Sequence, residues 1–83
     1  MGKYGILRVV SGNDQGKQIE LNRQLTSIGR GADQMLVIAD IAVSRRHASI
    51  RREGAHWLIT DMGSRNGTIV EGAFVQEAQL EPN

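Results

Sequence analysis

The chain has no cysteine, so neither a disulfide framework nor a thiolate metal site is available to it. It carries three aromatic residues, Tyr4, Trp57 and Phe74, so any core must be built mainly from Ile, Leu and Val. The longest unbroken apolar run is MLVIA at residues 35–39, far too short to span a bilayer as a helix. The start shows no signal-peptide pattern, and Ile6 stands where a myristoylation motif after Gly2 needs Ser or Thr. A large excess of one charge is also missing. Ten Lys and Arg against nine Asp and Glu leave +1, which predicts neither a nucleic-acid nor a membrane partner. A soluble, cytoplasmic domain is the expectation.

What is present is a β pattern. Hydrophobic residues make up 40% and charged residues 23% of 83 residues, ordinary for one small folded domain spanning residues 1–83. Ten glycines suit many short strands joined by tight turns. The spacing predicts strands at residues 4–10, 17–21, 25–28, 35–38, 48–52, 56–60, 68–70 and 73–75. ASIRR puts Ala48 and Ile50 on one face and Ser49 and Arg51 on the other. No stretch sustains a 3.6-residue apolar repeat, so the fold class is all-β, an antiparallel sandwich or barrel.

Three polar loops interrupt the strands: GRGAD, IAVSRRH and DMGSRNG. Binding residues concentrate on loops that a rigid sheet presents, although each loop also reads as a solvated turn. Arg30 lies between Gly29 and Gly31, a rigid donor fork with open backbone beside it, which suits an oxyanion such as phosphate. Ser44 offers a hydroxyl and Arg45 a charge from the next loop, or else a capping serine beside solvated arginines. His47 enters the following strand, where a structural donor is the plainer reading. Asn66-Gly67 is a strong hairpin signal, yet Ser64, Arg65 and Asn66 also line up donors that can meet a peptide backbone. Asn66-Gly67-Thr68 matches the glycosylation sequon, which carries no weight without a secretion signal.

Enzyme readings fail. Ser44, His47 and Asp40 are crowded into a few residues with no G-x-S-x-G, there is no P-loop, and His47 and His56 lack a third metal ligand at suitable spacing. No cofactor or metal is expected. Arg45, Arg46, Arg51 and Arg52 form an acid-free basic run that keeps a nucleic-acid alternative open, but aromatics for base stacking are few.

In this order, Ile28-Gly29-Arg30, Val43-Ser44-Arg45-Arg46-His47-Ala48 and Asp61-Met62-Gly63-Ser64-Arg65-Asn66-Gly67-Thr68 resemble the forkhead-associated (FHA) family of phosphothreonine-peptide-binding domains. The resemblance runs from about Ile6 to Leu80, with Gly12, Gly16, Leu21 and Gly72 also fitting. It implies a β-sandwich that binds its peptide across the loops at one end, and a partner phosphorylated on Thr by a Ser/Thr kinase. It implies Arg30 and Ser44 as main phosphate contacts, Arg45 assisting, Ser64 and Arg65 as further contacts, and Asn66 on the peptide main chain. Gly29, His47, Gly67 and Thr68 would support the loops. Two alternatives stay open: an FHA fold acting as a phospho-independent assembly module, and a small basic nucleic-acid-binding β-domain. The family closes with two further strands where this chain reaches QLEPN. The sequence thus predicts an FHA-type sandwich lacking or borrowing its C-terminal strands. Its first strand would then be an exposed apolar edge open to oligomerisation.

Overall fold

The computed structural model describes residues 5–80. Nine strands follow one another: β1 (Gly5–Arg8), β2 (Gln18–Leu21), β3 (Leu25–Gly29), β4 (Leu36–Val37), β5 (Ala48–Glu53), β6 (His56–Asp61), β7 (Ile69–Val70), β8 (Ala73–Phe74) and β9 (Glu77–Leu80). No helix among the described residues is long and apolar enough to cross a membrane. Tyr4, expected at the start of β1, lies outside the described residues.

The main layer is a five-stranded sheet in the order β4-β3-β5-β6-β9. Its period-two alternation sends one set of side chains inward. Thr26 on β3 lies opposite Ile50 on β5, Ile50 opposite Ile59 on β6, and Ile59 opposite Ala78 on β9. The hairpin β1–β2 covers this face: Leu7, Ile19 and Leu21 pack with Ile28, Leu36, Ile50, Trp57, Ile59 and Leu80. The third piece is the short ribbon β7–β8, with Ile69 opposite Phe74. Among the described residues β1 pairs with β2 alone, so its other edge is open, and Ile6 is 60% exposed there.

Two features depart from the sequence reading. The sheet is mixed, because β4 runs parallel to β3, pairing Ile28 with Leu36 and Gly29 with Val37. Parallel neighbours ordinarily need a long crossover. Here residues 30–35 suffice because β4 contributes only Leu36 and Val37, and a turn closed by Gln34 N–H on Gly31 O (3.1 Å) reverses the chain. The second departure is β9. Glu77-Ala78-Gln79-Leu80 has weak strand propensity and no strand was expected there, yet it pairs along β6. Gln79 and Leu80 of the QLEPN segment are therefore strand residues, and its other three residues lie outside the described residues.

Candidate functional site

The three polar loops leave the same end of the five-stranded sheet and are laced to one another by backbone bonds. Loop 29–35 is tied to loop 40–47 by Arg30 N–H on Ser44 O (3.0 Å) and Gly31 N–H on Arg45 O (3.1 Å). The two backbones approach so closely at Gly29 that a Cβ there would lie 2.1 Å from Arg45 O. Only glycine permits that contact.

His47 connects the second loop to the third. Its Nδ1 accepts from Ser44 N–H at 3.0 Å, which leaves Nε2–H to donate to Gly67 O at 2.9 Å. The ring is therefore the neutral tautomer with its proton on Nε2. Gly67 sits at φ 86°, in the left-handed region, with Phe74 so close that a Cβ would meet its ring at 2.8 Å. The third loop rests on Asp61, which is 8% exposed at the end of β6. One carboxylate oxygen accepts from the Ser64 and Thr68 hydroxyls, and the other from Gly63 N–H (3.1 Å) and Ser64 N–H (3.0 Å). The Ser64 hydroxyl above all, with Thr68 and the two N–H groups, holds the Asp61 carboxyl below the usual carboxylate range, against burial, which pushes it up.

Above this base lies a cleft of about 310 Å³ lined by Arg30, Ser44, Arg45, Arg65 and Asn66, with residues 41–43 and Gly63 completing it. Five of the six residues anticipated as contacts thus share one cavity. Ser64 is the exception: its hydroxyl donates to Asp61 and accepts from Gly67 N–H at 2.9 Å, so it works beneath the loop with Thr68. Asp61 and its role were missed by sequence reasoning. An Asp followed two residues on by Gly63, whose N–H donates to its carboxylate as in an Asx turn, was the available signal.

Four consecutive loop carbonyls beside the cleft are already occupied. Ala42 O accepts from Asn66 Nδ2 (2.6 Å), Val43 O from Arg30 Nε (3.0 Å), Ser44 O from Arg30 N–H and Arg45 O from Gly31 N–H. Ser44 Oγ accepts from Arg65 N–H at 2.9 Å, which leaves its own proton free to donate. Among the described residues, both terminal nitrogens of Arg30 and the second N–H of Asn66 also have no partner. No carboxylate lines the cleft. Its surface is one of donors.

The basic run does not form one patch. Arg51 points to the opposite sheet face, bonded to Glu77, Glu53 and Thr60, while Arg52 lies over the Trp57 ring at 5.6 Å.

A family model described as "Inner membrane component of T3SS, cytoplasmic domain", itself FHA-like, matches residues 8–83. A solved structure from a study of phosphothreonine-dependent FHA domain interactions is 39% identical. It superposes with a TM-score of 0.86, covering 95% of this chain and 80% of that one. The chain belongs to the forkhead-associated (FHA) family. The FHA domain of CT664 from Chlamydia trachomatis is 30% identical with a TM-score of 0.89, covering 98% of this chain and 84% of its own. The glycogen accumulation regulator GarA of Mycolicibacterium smegmatis is 40% identical over 75 residues, 90% of this FHA chain and 48% of GarA. The chain spans about half the length of such curated relatives.

Proposed function

We propose that this FHA domain is a binding module for proteins phosphorylated on threonine, and that the donor-lined cleft receives the phosphate. The observation that carries this reading is the occupied state of four consecutive carbonyls, those of residues 42–45, around a cleft that holds three guanidinium groups and no acid. A group rich in acceptors and negatively charged complements such a surface, and a phosphomonoester is both.

Arg30 is fixed through Nε and turns its two terminal nitrogens to the phosphate. The Ser44 hydroxyl donates one bond, with Arg45 and Arg65 adding charge. Asn66 uses one N–H on Ala42 and offers the other, with its Oδ1, to the peptide main chain beside the phosphothreonine. Ser64, Thr68, His47, Gly29 and Gly67 hold these groups in place. The domain acts by binding, not by catalysis, in the cytoplasm, on a target marked by a Ser/Thr kinase.

Bonds to a charged group contribute about 1.5–3 kcal/mol each, so two or three supply ~3–9 kcal/mol. A micromolar complex needs ~8 kcal/mol, so peptide contacts around the phosphate contribute as well. Isothermal titration with matched phosphorylated and unphosphorylated peptides tests the reading. Arg30→Ala weakens phosphopeptide binding by ~2–5 kcal/mol, as expected for removing one partner of a desolvated charge pair. Unchanged affinity in a folded Arg30→Ala protein overturns the assignment.

A further inference from the structure

A second cleft, of about 710 Å³, lies on the other side of Arg45 and is lined by Gly31, Ala32, Asp33, Arg45 and Arg46. Arg45 therefore forms the ridge between two cavities, and its backbone is pinned there by Gly29 and Gly31. Arg46 faces only the second. The ion pairs among the described residues use Lys17 and Arg51, so Arg30, Arg45, Arg46 and Arg65 have no carboxylate within salt-bridge reach there. The one acid lining the second cleft, Asp33, is folded onto its own loop, and its bond to Gln34 first, with the charge of Arg46 also contributing, holds its carboxyl below the usual carboxylate range. Its Oδ1 accepts from Gln34 Nε2 at 3.1 Å and lies where a Cβ on Gly31 would meet it at 2.7 Å.

The charges do not balance for one phosphate. Three guanidinium groups line the first cleft, while a phosphothreonine brings about −1.5 to −2. Arg46 adds a further guanidinium in the adjoining cavity, where the Asp33 carboxylate offsets one charge and leaves the three of the first cleft in excess. Like charges in excess on adjoining cavities repel one another unless a ligand neutralises them. The geometry points to the Arg45–Arg46 cleft as a second anion subsite, which reads a further acidic or phosphorylated side chain of the same peptide. This inference rests on the phosphothreonine reading and adds the class of sequence that surrounds the phosphothreonine.

The test is fluorescence polarisation on the full chain with peptides sharing one phosphothreonine core. One carries neutral flanks, others carry Glu, Lys or a second phosphothreonine at each of the three positions on either side. In at least one position Glu or phosphothreonine tightens binding fivefold or more over the neutral peptide, Lys weakens it, and the stronger of the two anions names the natural group. The advantage shrinks steeply between 50 and 300 mM salt, because these exposed charges are screened. Arg46→Ala cuts it below twofold while the neutral peptide stays within twofold of its wild-type affinity. Asp33→Asn, which removes the only acid from the subsite, widens it. Equal binding of neutral and acidic peptides by the wild type, or an advantage that Arg46→Ala leaves intact, overturns the subsite. Failure of the wild type to bind any of the phosphopeptides overturns the phosphothreonine reading itself, and the subsite with it.

Discussion

Replacing Asp61 with asparagine isolates what the third loop rests on. The wild-type carboxylate collects four donors: the Ser64 and Thr68 hydroxyls on one oxygen, and the Gly63 and Ser64 N–H groups on the other. An amide offers one oxygen and one NH2. The oxygen can serve the two backbone N–H groups, and the hydroxyls must then reverse to accept from the NH2. Two charge-assisted bonds become neutral ones, at about 1 kcal/mol apiece, and reversed hydroxyl protons lose their partner in a buried position for about another 1 kcal/mol. Asp61→Asn therefore destabilises the domain by ~2–3 kcal/mol at pH 7, out of a total of ~4–12 kcal/mol for a chain of this length. The protein stays folded, with a melting temperature lower by roughly 10–20 °C. Urea unfolding followed by the fluorescence of Trp57, the only tryptophan, measures this. The pH profile supplies a second signature. The native carboxyl is held below its ordinary value, so its stabilisation is complete above the unfolded pKa of about 4 and is lost as pH falls through the lower native value. Wild type and variant therefore converge below about pH 4. A difference smaller than ~0.5 kcal/mol at pH 7, or one that stays constant down to pH 2, refutes the reasoning.

The other predictions use different parts of the molecule. Gly29→Ala drives a Cβ into Arg45 O, so it costs ~2 kcal/mol or more of stability and weakens phosphopeptide binding at least tenfold, checked by melting and titration of the same protein. Thr26 is 1% exposed and its hydroxyl has no partner among the described residues, so Thr26→Val raises stability by ~1 kcal/mol in urea titrations. Phosphopeptide affinity falls between pH 7.5 and 5.5 as the phosphate, with a second pKa of ~6, becomes a monoanion. Asp61 stays ionised across that range, so the loss belongs to the ligand, and a flat profile counts against recognition of the dianion.

Most strands were legible because a half-buried strand writes its inner face every second residue. Ala48 and Ile50 sit 4% and 1% exposed, as the alternation of ASIRR requires. The strand β9 was not legible, since Glu, Ala and Gln carry little strand preference and its place is set by pairing with β6. The parallel seating of β4 depends on a loop path that no local pattern records. In the site, the glycines and polar residues of the three loops were legible as turn chemistry with donors lodged in it. The direction of each side chain was not. Ser64 and Arg65 are neighbours, yet Ser64 turns down to Asp61 while Arg65 lines the cleft. The basic run is split for a simple reason: consecutive strand residues face opposite ways, so Arg51 and Arg52 leave the cluster and find Glu77 and Trp57.

Loops are ordinarily ordered at a cost when a ligand arrives, and that cost is subtracted from affinity. Here the three loops are tied by the protein's own bonds: the first to the second through Arg30 and Gly31, the second to the third through His47, the third to the sheet through Asp61. The same bonds consume the acceptors of residues 42–45, so rigidity and charge preference have one origin. A free carbonyl at the rim would repel an anion and attract the arginines away from it. With those carbonyls engaged, the Arg30 terminal nitrogens and the Ser44 proton have no nearby competitor. On the proposed reading, the lacing that holds the loops is therefore also what gives the cleft its preference for a ligand rich in acceptors.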